Sequence, residues 1–172
     1  MMIAVAFLVL LIPKADAPII DLPKVSCGVT EIMAVWLEPK REAGQAACQA
    51  EAQLRSAGWS DAAVVGALSN AWHESHWLPS AVGDHGQSVG FWQLHARGLG
   101  HGMTADARHD MKMSTRRIIS AARKLDLDID SADPQSSAEG FCQRIMRPSG
   151  LRSQMRLRAR TARLADKHSP QR

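Results

Sequence analysis

The chain contains no tyrosine, and its aromatic surface comes mostly from five tryptophans, Trp36, Trp59, Trp72, Trp77 and Trp92. Large rings usually pack in cores, but Trp77 and Trp92 flank the motif described below, so for these two packing and sugar stacking both stand. Cysteine is scarce. Cys27, Cys48 and Cys142 form no C-x-x-C pair, which leaves a zinc ribbon or a thioredoxin-type site without support. A Cys27–Cys48 disulfide in an exported chain and three buried thiols both fit this count. No apolar run reaches the roughly 20 residues of a comfortable membrane span, and there is no internal repeat. Acids almost vanish from the C-terminal part. After Arg144 the only one is Asp166, against Arg147, Arg152, Arg156, Arg158, Arg160, Arg163 and Lys167. Such a stretch reads as a solvated basic helix face or as a surface for nucleic acid, anionic lipid or an acidic polymer. No nucleic-acid motif accompanies it, so nucleic acid is not an expected partner.

What is present bounds the rest. A chain of 172 residues with 45% hydrophobic residues and a net charge of +4 suits one globular domain with a real core. It opens with MMIAVAFLVLLIP, followed by Ala15-Asp16-Ala17, which has the small-x-small look of a signal-peptidase site. No Lys or Arg precedes the run, and the run is short. An export signal and an uncleaved segment docking on a partner therefore remain equal alternatives. Pro13, Pro18 and Pro23 predict an extended or loop stretch over 13–26, and 29–37 is short and apolar without a decided state. The division expected is 1–41 as N-terminal segment and linker, 42–168 as the folded domain with a basic C-terminal helix, and 169–172 as a tail.

Within that domain the spacing predicts helices. Ala43 to Ala57 is Ala- and Gln-rich and stops at Gly58. Ser60 or Asp61 caps the next, where Val64, Val65, Leu68, Ala71 and Trp72 recur on one face as far as Ser75. Residues 79–102 are Gly-rich, with a short hairpin expected at 86–94. Thr104 caps a short helix, Ser114 another to about Leu125, Ser136 or Ser137 a third to Met146, and Leu151 to Lys167 forms the last. The fold class expected is mainly α, with a small Gly-rich loop or hairpin inserted beside a cleft.

The informative segment is NAWHESHWLPSAVGDHGQSVGFWQLH, Asn70 to His95. Glu74 falls in the last turn of an amphipathic helix, where the negative end of the dipole disfavours a charged carboxylate. Trp72, Trp77 and Leu78 are near enough in sequence to exclude water from it. Both effects raise a carboxyl pKa, as a general acid near neutral pH requires. Gly83-Asp84-His85-Gly86 is a turn that lets backbone approach a ligand, and Gly90-Phe91-Trp92-Gln93-Leu94 sets an amide among apolar neighbours, where it orients another polar group or a substrate. Alone, a Glu at a helix end is usually a surface residue.

The order of the pieces is more specific. Glu-Ser, then Gly-Asp-x-Gly, then Gly-x-x-Gln-Leu resembles the signature of lytic transglycosylases and goose-type lysozymes. Ala67 to Gln93 is similar to the phage tail lysozyme group, and Phe141, Ile145, Arg147-Pro148 and the basic helix resemble that group's C-terminal end more loosely. The resemblance covers about residues 43–165. It implies a lysozyme-like α+β fold and cleavage of the linkage between N-acetylmuramic acid and N-acetylglucosamine in peptidoglycan. Glu74 would be the catalytic acid, with Ser75, Asp84, Ser88, Trp92, Gln93 and His95 binding substrate and no metal or cofactor. It further implies a virion or tail-associated lysin acting in the periplasm during entry, residues 1–13 docking on a tail or baseplate protein. The alternative is an enzyme exported after cleavage near Ala17. Departures matter here. Leu78-Pro79 stands where Asn-Pro is frequent, and His95 stands where goose-type enzymes tend to have an aspartate. Asp84 remains as a possible second carboxylate, so hydrolysis by an activated water and transglycosylation through the sugar's own 6-hydroxyl both stay open.

Two other readings compete. Six of the seven histidines lie between His73 and His109, which invites a metallopeptidase. However, His73-Glu74-Ser75-His76 spaces its histidines three apart, not the four of H-E-x-x-H. A structural or wall-binding tail protein with a dead site is the non-enzymatic alternative.

Overall fold

A computed structural model describes residues 27–148 and 151–167. The expectations for the segment 1–26 and the tail 169–172 fall outside the described residues. Seven helices and one small sheet make up the rest: α1 (Gly28–Leu37), α2 (Arg41–Ser56), α3 (Asp61–Ser75), β1 (Val82–Gly83), β2 (Ser88–Val89), β3 (Leu94–His95), α4 (Ala105–His109), α5 (Met111–Lys124), α6 (Pro134–Phe141) and α7 (Leu151–Lys167). The molecule is therefore mainly helical, with a three-stranded antiparallel sheet.

Helix α1 lies in the stretch expected to be linker, before the boundary expected at Glu42. This helix buries Val29, Thr30, Met33 and Ala34 and packs on α2, α3 and α7. Two devices distant in sequence fix it. Cys27 and Cys48 form a disulfide, while Cys142 is a buried free thiol. Glu51 of α2, fully buried, supplies the cap that α1 lacks locally. Its carboxylate accepts from the backbone N–H groups of Val29 (3.1 Å) and Thr30 (2.8 Å) and from the Thr30 hydroxyl (2.7 Å). Helix N-termini leave such donors unpaired and favour negative charge.

Helix α3 is the axis of the domain, and every residue from Ala62 to Ala71 is buried. Ser60 caps it, accepting from Ala63 N–H, and its hydroxyl donates to Ser131 O. A Cβ on Gly66 would lie 2.7 Å from the backbone of Ser137 and Ala138, so only glycine lets α6 approach this closely. Asn70 then bridges the two helices, its Nδ2 donating to Gly66 O and Ala138 O. Around this contact gather Leu54, Leu68, Trp77, Phe91, Trp92, Ile118 and Phe141.

Two caps differ from expectation. Asp110 rather than Ser114 starts α5, and Asp133 rather than Ser136 or Ser137 starts α6. Pro134 occupies the first turn of α6, where its missing N–H costs nothing. Helix α6 continues into a π-helical turn, Cys142–Met146, which closes with Arg147 N–H on Cys142 O at 2.8 Å.

The hairpin expected at 86–94 is a three-stranded insert. Val82 pairs with Val89 and Gly83 with Ser88, then Ser88 pairs with His95 and Val89 with Leu94. Arg108 of α4, only 6% exposed, pins it by donating Nη1 to Gln87 O (2.6 Å) and Leu94 O (3.0 Å).

Candidate active site

Glu74 sits in the last turn of α3, which ends at His76 in the left-handed conformation. Its side chain is 21% exposed, and one oxygen accepts a 2.5 Å bond from Nη2 of Arg158. Among the described residues the other oxygen has no protein partner. Burial pushes the carboxyl above its ordinary range; the charge and hydrogen bond of Arg158 pull it back, and the charge of Asp84 pushes up again. The balance is upward. A carboxylate beside a guanidinium ordinarily titrates low, so desolvation outweighs the cation here.

Arg158 is the residue that sequence reasoning missed. It belongs to the basic run of α7 in sequence, yet it is 2% exposed, with Nη1 donating to the Gln154 side chain. The signal was present: Arg158 stands four residues before Ala162 and seven before Ala165, both buried, which puts it on the inward face of the helix. The other cations of the helix whose exposure is described, Arg152, Arg156, Arg160, Arg163 and Lys167, face outward.

Two neighbours feel the pair. His73 is lowered to about 4 by burial, then by Arg158 and His76, and its Nε2 lies 2.9 Å from Thr161 Oγ1. It is thus neutral at neutral pH. The Cys142 thiol is raised by burial, with Arg158 opposing and Glu74 adding. The Glu74 carboxylate therefore lies where the end of α3, the inner face of α7 and the start of the π turn meet, with the insert bringing in Asp84.

Asp84, Ser88, Gln93 and His95 share the insert. Asp84 is exposed and accepts a 2.6 Å bond from the buried Ser88 hydroxyl, so its turn is held by its own neighbour. Gln93 organises the insert more than it presents itself. Its Nε2 donates to Gly90 O and Ala81 O, and its Oε1 packs closely on Gly83, 2.6 Å from where a Cβ would stand. His95 is half-buried, with Nδ1 accepting from Arg97 N–H. Ser75 and Trp92 are placed differently from expectation. Ser75 is buried, its hydroxyl donating to Phe91 O at 2.7 Å, so it ties α3 to the insert instead of meeting a ligand. Trp92 is fully buried, with its indole N–H on Thr115 Oγ1 and its ring against Phe91. Trp77 is buried likewise and donates to Leu68 O. Neither ring offers a face to a sugar.

Among the described residues no three or more His, Cys, Asp or Glu side chains converge as metal ligands, and no helix is long and apolar enough to cross a membrane. The chain matches no family model, no curated protein and no solved structure.

Proposed function

We propose that this chain is a muralytic glycosidase, a lysozyme or lytic transglycosylase, with Glu74 as general acid. One observation carries the reading: a carboxyl group raised by burial even though a buried arginine grips one of its oxygens. The shift is in the direction a general acid requires, and the second oxygen has no protein partner among the described residues to compete with a ligand. In the proposed step Glu74 passes its proton to the glycosidic oxygen between the two amino sugars as the bond breaks. Asp84, exposed and near enough for its charge to reach Glu74, would stabilise the developing oxocarbenium charge or position a water. If it does neither, the sugar's own 6-hydroxyl closes the reaction.

Further support comes from the Cys27–Cys48 disulfide, because such bonds persist in oxidising surroundings. This suits a protein that works outside the cytoplasm. We assign it to a phage virion as a tail-associated lysin; export from a bacterial cell is the competing location. Glu74→Gln keeps the shape and the acceptor for Arg158 but removes the acid. General acid catalysis contributes roughly 100- to 10,000-fold, so clearance of a cell-wall suspension should fall by that order. Clearance at the normal rate would sink the assignment. The second reading is a wall-binding tail protein in which Glu74–Arg158 is a structural ion pair, favoured by the near-complete burial of Arg158. It expects no clearance by the wild type and a large loss of stability in Glu74→Gln.

A further inference from the structure

Beside the insert lies a pocket of about 360 Å³ whose walls come from β3, the following loop and the π turn. Its floor is apolar, with Leu94 and Ile145 buried and Leu99 and Met146 half-buried. No Asp or Glu lines it. Apart from the Gln93 amide, its polar side chains, His95, Arg144 and Arg147, are donors. Nδ1 of His95 accepts from Arg97 N–H, so a neutral ring carries its proton on Nε2 and donates from there. Arg147 stands at the end of the π turn with φ +46°, and its Nε donates to Arg144 O. Among the described residues its terminal amines have no partner. Arg144 is itself fixed by Nη1 bonds to Leu125 O and Asp126 O, which braces the turn that presents Arg147. Gln93 lines the pocket, and its Oε1 packs against Gly83, the residue before Asp84, so the pocket and the Asp84 turn share the insert.

An apolar floor ringed by fixed donors, with no acid, suits a ligand that carries carboxylate on a short apolar backbone. We propose that this pocket is a subsite for the peptide stem of the wall glycan, with Arg147 binding a stem carboxylate. The inference rests on the glycosidase reading and deepens it, since the stem hangs from one of the two sugars at the scissile bond. It makes Arg147 a specificity-determining residue that selects stem-bearing over bare glycan.

The test is calorimetric binding of two soluble fragments with the same sugars, one with stems and one without, each measured in the Glu74→Gln protein so that both stay intact. A charge-assisted bond to a carboxylate supports a preference for the stem-bearing fragment of about tenfold or more. Adding Arg147→Glu should bring the ratio of affinities to about one, and Arg147→Lys should keep part of it. Arg147 is exposed, so neither change removes core packing. Equal affinity for the two fragments, or an unchanged ratio in Arg147→Glu, overturns the pocket alone. Binding of neither fragment overturns the glycosidase reading and the pocket with it.

Discussion

At the scale of single residues, Glu74 and Arg158 oppose each other. Burial makes the charged carboxylate costly, and Arg158 recovers part of that cost. The protonated form is the one proposed to act, so activity is present below the Glu74 pKa and lost as pH rises through it. Arg158→Gln deletes both influences that lower this pKa and leaves the burial and Asp84 influences that raise it. The pKa then climbs further, and the alkaline limb of the rate profile should move to higher pH. The maximal rate should also drop, because the carboxyl group loses the partner that holds one oxygen in place. A limb that stays put or moves to lower pH would refute this account. Arg158→Lys, which keeps a cation, should leave the limb nearer its original position, a result that mere damage to packing would not produce.

Among the elements, α1 depends on groups supplied from elsewhere. Its N-terminal donors end on Glu51 of the next helix, and Glu51 also receives Nε of Arg55 at 2.8 Å. Glu51→Ala strands the Val29 and Thr30 donors in a dry environment, each at a cost of about 1–3 kcal/mol. We expect about 3 kcal/mol of lost stability, a fall of about 10 °C in Tm for a domain of this size, read by thermal unfolding. Glu51→Gln should recover only part, because its single oxygen can serve the donors on one side while its amide hydrogens point at donors on the other. A change below about 1 kcal/mol would mean that water reaches the cap. The same helix explains what the sequence makes legible and what it hides. Ser60 before α3 and Thr104 before α4 are caps whose partners lie three residues on, so spacing alone finds them. The caps at Asp110 and Asp133 compete with nearby serines that are also good caps, and packing decides between them. Helix α1 is illegible because its cap and its disulfide partner lie more than twenty residues away. At the site, the Glu74 motif can be read in one contiguous stretch. Arg158 acts from 84 residues further along the chain, and Trp92 is withdrawn because its ring packs on Phe91 and Phe141 and its N–H reaches Thr115.

Across the whole molecule, the distribution of charge matters more than the net value. Three of the acids are paired with arginines, Glu51 and Asp61 with Arg55 and Glu74 with Arg158. Exposed acids collect in the connection after α5, at Asp126, Asp128, Asp130 and Asp133, whereas the outer face of α7 carries Arg152, Arg156, Arg160, Arg163 and Lys167. Helix α5 adds Lys112, Arg116 and Arg123 beside α2 along a groove of about 590 Å³. A molecule so polarised should approach an anionic wall with its basic faces first. Attraction of this kind is long-ranged and screened: the Debye length shrinks from about 30 Å at 0.01 M salt to about 3 Å at 1 M. Sedimentation with insoluble wall should therefore retain most of the protein at the low end of that range and release it toward the high end. Replacing Arg156 and Arg160 together by Glu should lower retention at low salt and flatten its salt dependence. Were retention the same at both ends of the range, the exposed face of α7 would have no part in holding the protein to the wall, and attachment would fall to the cleft and its stem pocket.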